Sequence, residues 1–164
     1  MNYDLITIVN KTLDKLYENE KYLFANDSSE RNLVFHFSRY FINEIEGTKL
    51  VQYDVDCEYN RNFLNEKKFK EIIYNYDGKK HKIYPDFILH KRGSNDYNKL
   101  AIEFKKYSNC REKSKEKDLL KLKALTNQSI NSEFRYELGL FIVFGKEKED
   151  VKITRVIDGK VDNG

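Results

Sequence analysis

The chain has 164 residues, the size of a single domain with a buried core. Hydrophobic residues make up 40%, charged residues 35% and aromatic residues 14%, with a mean hydropathy of −0.77. That is too polar for a membrane protein and too aromatic for a disordered one, while a net charge of +3 says little about nucleic acid until the charges are placed.

In chain order, residues 3–24 carry Leu5, Ile6, Val9, Leu13, Leu16 and Tyr17 at helical spacing. Asp27-Ser28-Ser29-Glu30 has the spacing of a capping box, and a second helix follows with Leu33, Val34, Phe37, Tyr40 and Phe41 on one stripe. Residues 50–59 alternate as a strand, with Val51, Tyr53, Val55, Cys57 and Tyr59 on one face and Gln52, Asp54, Asp56 and Glu58 on the other. The polar segment 60–80 predicts only a short helix or irregular strand around Phe69, Ile72 and Ile73. Two strong strands, 82–91 and 99–106, flank a turn-rich stretch at 92–98. A basic helix is expected over about 111–125, a doubly buried strand over Leu138 to Phe144, and an edge strand near 151–157. Runs of strands broken by single helices point to a mixed sheet flanked by helices. One domain over 1–164 is expected, divided into an N-terminal helix (1–27), a core (28–145) and an edge strand with tail (146–164).

Cys57 and Cys110 lie far apart without metal-site spacing, and His36, His81 and His90 do not complete a zinc set, so reduced thiols and a cytoplasmic location are expected. The first residues lack the basic and apolar segments of a signal peptide. No apolar run approaches the roughly 18–20 residues that span a bilayer.

The two strong strands carry the chemistry. Asp86 and Glu103 are symmetrical about the turn centre between Ser94 and Asn95, so a simple antiparallel hairpin sets them face to face, with Cβ atoms about 4.5–5.5 Å apart. Phe87 and Leu89 share a face with Leu100, Ile102 and Phe104, which leaves Asp86, Glu103 and Lys105 on the opposite one. Facing carboxylates repel, and a hard divalent cation with oxygen ligands resolves the conflict. Lys105, two residues after Glu103, is placed to orient or deprotonate a water, or to stabilise charge on a phosphate. Alternating charge on a strand is also what a solvated edge looks like; the combination of Pro85-Asp86, a hairpin-length gap and Ile102-Glu103-Phe104-Lys105 is the specific signal.

Tyr84-Pro85-Asp86-Phe87-Ile88 followed by Ala101-Ile102-Glu103-Phe104-Lys105-Lys106 resembles the PD-(D/E)xK signature of restriction-endonuclease-like nucleases. Asp56-Cys57-Glu58-Tyr59-Asn60 and Asp118-Leu119-Leu120-Lys121 are similar to segments of a group of small bacterial members. The resemblance covers about residues 28–145. It implies a three-layer αβα core around a central mixed β-sheet, and Mg²⁺-dependent cleavage of nucleic acid, DNA above all, with Mn²⁺ able to substitute. It further implies metal ligation by Asp86, Glu103 and the Phe104 backbone carbonyl, with Glu30 from an early helix as a further member of the site. Glu30 as a capping-box partner of Asp27 is an equally good reading, and the two are compatible.

Glu58, His36 and His90 are weaker candidates, and Asp118 and Lys121, which also fit an ordinary helical pair, are candidate orienters of Lys105. The basic residues Lys106, Arg111, Lys113, Lys115 and Lys117 suit phosphate contacts, although Glu112, Glu116 and Asp118 interrupt the run, as on a solvated helix. The competing expectation is a catalytically silent module of the same fold that binds nucleic acid or protein. A homodimer, or a subunit within a larger defence or repair system, is also open.

Overall fold

The computed structural model describes residues 5–62, 68–73, 78–130 and 132–162. Helix α1 spans Leu5–Asn19 and α2 Lys21–Ala25, so the helix expected over 3–24 is broken in two, and residues 3 and 4 lie outside the described residues. The break falls at Glu20. Its carboxylate accepts hydrogen bonds from Arg39 and Tyr40 at 2.8 Å each, both on α3 (Glu30–Ile45), and these tie the corner to the next helix. The expected capping box does not form around Asp27. Ser29 is the cap, its Oγ accepting from the Asn32 N–H at 3.3 Å, because the backbone turns helical only after it.

The strand expected over 50–59 contracts to β1, Asp54–Asp56. Residues Lys49–Gln52 instead form a 3₁₀ turn, whose first N–H groups Thr48 caps through the Leu50 N–H. At the other end Glu58 has φ +51°, incompatible with an extended strand. Two small antiparallel pairs occupy the polar segment: β2 (Arg61–Asn62) with β3 (Lys68–Phe69), and β4 (Glu71–Ile73) with β5 (Lys80–Lys82). Residues 63–67 and 74–77 of that segment, and 163 and 164 of the expected tail, lie outside the described residues.

The remaining elements are β6 (Phe87–His90), β7 (Leu100–Lys106), α4 (Glu112–Thr126), β8 (Leu138–Phe144), β9 (Lys152–Ile157) and β10 (Lys160–Asp162). Among the described residues they build a mixed six-stranded sheet in the order β1-β6-β7-β8-β9-β10, with β7 and β8 parallel and every other neighbour antiparallel. The chain crosses from β7 to β8 through α4, and a parallel pair requires such a crossover. The edge expected at 151–157 is displaced. Asp158 and Gly159, at φ +48° and +72°, make a two-residue hairpin turn that adds β10 outside β9.

Alternation along the central strands divides the core in two. Phe87, Leu89, Leu100, Ile102, Phe104, Leu140, Ile142 and Phe144 pack against α1 and α3. Ile88, Ala101, Phe141, Val143 and Val156 pack against Leu122 and Leu125 of α4. All seven residues of β8 are buried, as its unbroken apolar run predicts. Gly139 lets α4 close on the sheet, since a Cβ there would stand 2.9 Å from the Thr126 methyl. No helix among the described residues is long and apolar enough to cross a membrane.

Candidate functional site

The hairpin register is the one the turn symmetry predicts: Phe87 faces Ile102 and Ile88 faces Ala101, so Asp86, one residue before β6, is next in line with Glu103. Asp86 is anchored by the Phe104 N–H, which donates to its Oδ2 at 2.7 Å. Glu103 is fully buried on the α4 face of the sheet, and among the described residues its Oε1 has no hydrogen-bond partner. Two residues of α4 three positions apart reach the cluster: Lys121 donates to Glu103 Oε2, and Asp118 lies 3.0 Å from the Lys105 Nζ and 2.8 Å from the Lys121 Nζ.

Glu30 reaches the same place from the start of α3. Its Oε2 accepts the Lys106 N–H at 3.0 Å, and its Oε1 lies 3.4 Å from the Lys105 Nζ. Lys105 Nζ also donates to the Phe104 carbonyl at 3.2 Å, which takes one of that oxygen's two lone pairs. Six of the residues picked from sequence, Glu30, Asp86, Glu103, Lys105, Asp118 and Lys121, therefore form one connected cluster.

Its electrostatics are strained. Burial raises Asp86 to about 6, only partly offset by the Phe104 N–H and the nearby lysines. Burial, and then the negative Asp86, push Glu103 well above the usual carboxylate range, against the pull of Lys121. Burial acts to discharge Lys105 and Lys121, yet the surrounding carboxylates outweigh it and hold both amines above their ordinary value. With every group ionised, four carboxylates meet two ammoniums, leaving two negative charges uncompensated among these six side chains.

A hard divalent cation fits that deficit and the partnerless Glu103 Oε1. Asp86, Glu103 and the Phe104 carbonyl would hold it. Among the described residues no group of three or more Asp, Glu, His or Cys side chains is arranged as a metal cage; Mg²⁺ needs only one or two carboxylates because it keeps waters.

The other sequence candidates lie elsewhere. His90 stands four residues along β6 from Asp86, about 13 Å of strand, where its Nε2 meets Asp56 Oδ2 at 2.8 Å. His36 Nδ1 points to Glu20 at 2.9 Å, between α2 and α3. Glu58, expected on a strand face with Asp54 and Asp56, falls beyond the end of β1 and pairs with Arg31 at 3.0 Å. Lys106 is committed structurally: its Nζ donates to the Asp27 and Ser28 carbonyls at 3.1 and 2.9 Å and pairs with the Asp27 carboxylate. Arg111 at the cap of α4 and Lys113 and Lys117 in its first half are exposed, and Lys115 lies 4.0 Å from Glu112.

Two features escaped the sequence reading. Lys70 is fully buried, its amine 5.3–5.9 Å from the ring centres of Tyr59, Phe134 and Tyr136, and burial lowers its pKa to about 8. Nothing in the polar segment 60–80 marks that lysine as different from its neighbours. The second is Arg92, which binds Asp56 through Nε at 2.9 Å and through Nη2; an arginine in a turn-rich stretch reads as solvated. No protein-family model matches the chain, and neither the curated proteins nor the solved structures include a match to it.

Proposed function

We propose that this protein is a Mg²⁺-dependent phosphodiester hydrolase of the PD-(D/E)xK type, a nuclease acting on DNA or another nucleic acid. The carrying observation is Glu103: a carboxylate buried completely beside a second one, Asp86, with one oxygen left without a partner among the described residues. A fold gains nothing from that arrangement unless a cation or substrate completes it. The sheet with α1 and α3 on one face and α4 on the other is compatible with a restriction-endonuclease-like αβα core.

Mg²⁺, when bound by Asp86, Glu103 and the Phe104 carbonyl, supplies Lewis-acid chemistry, withdrawing charge from a phosphodiester and easing loss of a proton from water. Lys105 is held in its charged form by Asp118, Glu30 and Asp86. In that form it serves as a hydrogen-bond donor that orients water or stabilises phosphate charge. Asp118 and Lys121 position Lys105 and Glu103. Glu30, less buried than Glu103, holds Lys105 from the solvent side. The exposed cations at the start of α4 would contact flanking phosphates.

One contact favours a second reading. The Lys121 ammonium already sits on Glu103 Oε2, and an ammonium in a cation's place is how a silent nuclease fold that only binds nucleic acid or protein would be stabilised. Cleavage of plasmid, single-stranded DNA and RNA in Mg²⁺, Mn²⁺ and EDTA separates the two. Metal-dependent cleavage abolished in Asp86→Ala supports the hydrolase. Metal-independent binding without cleavage supports the silent module.

A further inference from the structure

Beside the carboxylates opens a cavity of about 630 Å³, walled by Arg31, Val34 and Phe35 of α3, by Glu58 beyond β1, and by Glu30 and Asp86 of the cluster itself. Glu30 and Asp86 belong to both places, so a substrate held at the carboxylates has its adjoining group in this cavity. Phe35 is 61% exposed, one position off the buried stripe of α3, and its ring lines the cavity. Glu58 takes the left-handed backbone region, at φ +51°. Arg31 pairs with its side chain, donating from Nε at 3.1 Å and pairing through Nη2 at 3.0 Å, both to Oε1.

The chemistry of the walls selects the occupant. Three carboxylates against one guanidinium repel a phosphate. An aromatic ring beside carboxylate acceptors suits a neutral planar ring that carries N–H donors. The volume lies within the range of about 300–1,000 Å³ for small-ligand pockets, and stacking on the Phe35 ring needs a base whose face is free, which a base inside a duplex stack does not offer. We infer that the cavity receives a single unpaired nucleobase next to the phosphodiester cut at Asp86 and Glu103, which makes single-stranded nucleic acid, or a duplex with one base turned out, the substrate class. The inference rests on the nuclease reading above.

The test uses a short single strand carrying a fluorescent purine analogue, in DNA and RNA versions, and a duplex of the same sequence. Binding is measured in EDTA, and cleavage in Mg²⁺ and Mn²⁺, on wild type, Phe35→Ala and Phe35→Tyr. The expected result is tighter binding of the single strand than of the duplex, with quenching of the analogue as it stacks. Phe35→Ala should weaken single-strand binding by roughly tenfold or more and lose the quenching, and Phe35→Tyr should restore both. Unchanged single-strand affinity and quenching in Phe35→Ala overturn the inference. Should that variant also retain full metal-dependent cleavage, the nuclease reading stands without it. If wild type neither binds nor cuts any of the strands, both fall together.

Discussion

Two charge clusters sit at opposite ends of the β6–β7 hairpin, and they are resolved in opposite ways. At one end Asp56 takes hydrogen bonds from Arg92 and meets His90, and those partners overcome burial to hold the carboxyl below its ordinary value. At the other end Asp86 and Glu103 are driven above theirs, and Glu103 keeps an oxygen without a partner. The first cluster is complete within the chain and reads as structure. The second is complete only with something added, which is why function is sought there and not at His90, although a histidine is the more familiar catalytic group.

The sharpest way to break this comparison is by activity. Glu103→Gln should lose metal-dependent cleavage by roughly a hundredfold or more, the scale of removing a preorganised charge from a reaction site. Asp56→Asn, per folded molecule, should cleave as wild type does. Comparable losses in the two would mean that the clusters do not differ in kind.

Stability should then separate them with opposite sign. Asp56→Asn leaves Arg92 and the buried His90 short of their acceptor, at a cost of about 2–4 kcal/mol in urea denaturation. Asp86→Asn in EDTA relieves repulsion and should be neutral or stabilising by about 1–2 kcal/mol. The same variant should forfeit the stabilisation that Mn²⁺ confers on wild type. A strongly destabilised metal-free Asp86→Asn would make that carboxylate structural.

The pH dependence sharpens the contrast further. Asp86 has a folded value of about 6 against 3.8 for a free carboxyl, so the folded chain holds that proton more tightly than the unfolded one. The resulting cost is full above about pH 6, shrinks as pH falls towards 3.8 and vanishes below it, and Glu103 acts in the same direction. Asp56, held low, contributes stability that is present above 3.8 and lost as pH falls through its folded value. Between pH 7.5 and 5 metal-free wild type should therefore gain on Asp86→Asn by about 1.4 kcal/mol. Stability differences that do not change with pH would remove the electrostatic basis of the comparison.

The smallest expected effect on stability is at Glu30. Glu30→Gln keeps an oxygen for the Lys106 N–H and loses only the charge facing Lys105, so its stability should stay within about 0.5 kcal/mol of wild type. Its cleavage should nevertheless fall by roughly tenfold or more. Full activity would leave Glu30 as an anchor for the end of β7.

Much of the site's backbone was legible in advance. The symmetric spacing of Asp86 and Glu103 about the turn set their pairing, because strand side chains alternate with period two and a hairpin has one register for a given turn centre. The unbroken run Leu138 to Phe144 marked a strand covered on both sides. What could not be read was whatever depends on a partner distant in sequence. Ser29 became the cap in place of Asp27, and β10 took the edge from β9 by pairing back across the Asp158-Gly159 turn.

By itself, then, the sequence determined which residues share a strand face and which carboxylates meet across a turn, since both follow from local geometry repeated along the chain. Only the tertiary structure decided that α4 lays Asp118 and Lys121 on Lys105 and Glu103, that Glu58 pairs with Arg31 beside a cavity, and that His90 is spent on Asp56. Those contacts depend on how helices pack on the sheet and where the chain reverses, and long-range packing leaves no periodic trace in the order of residues.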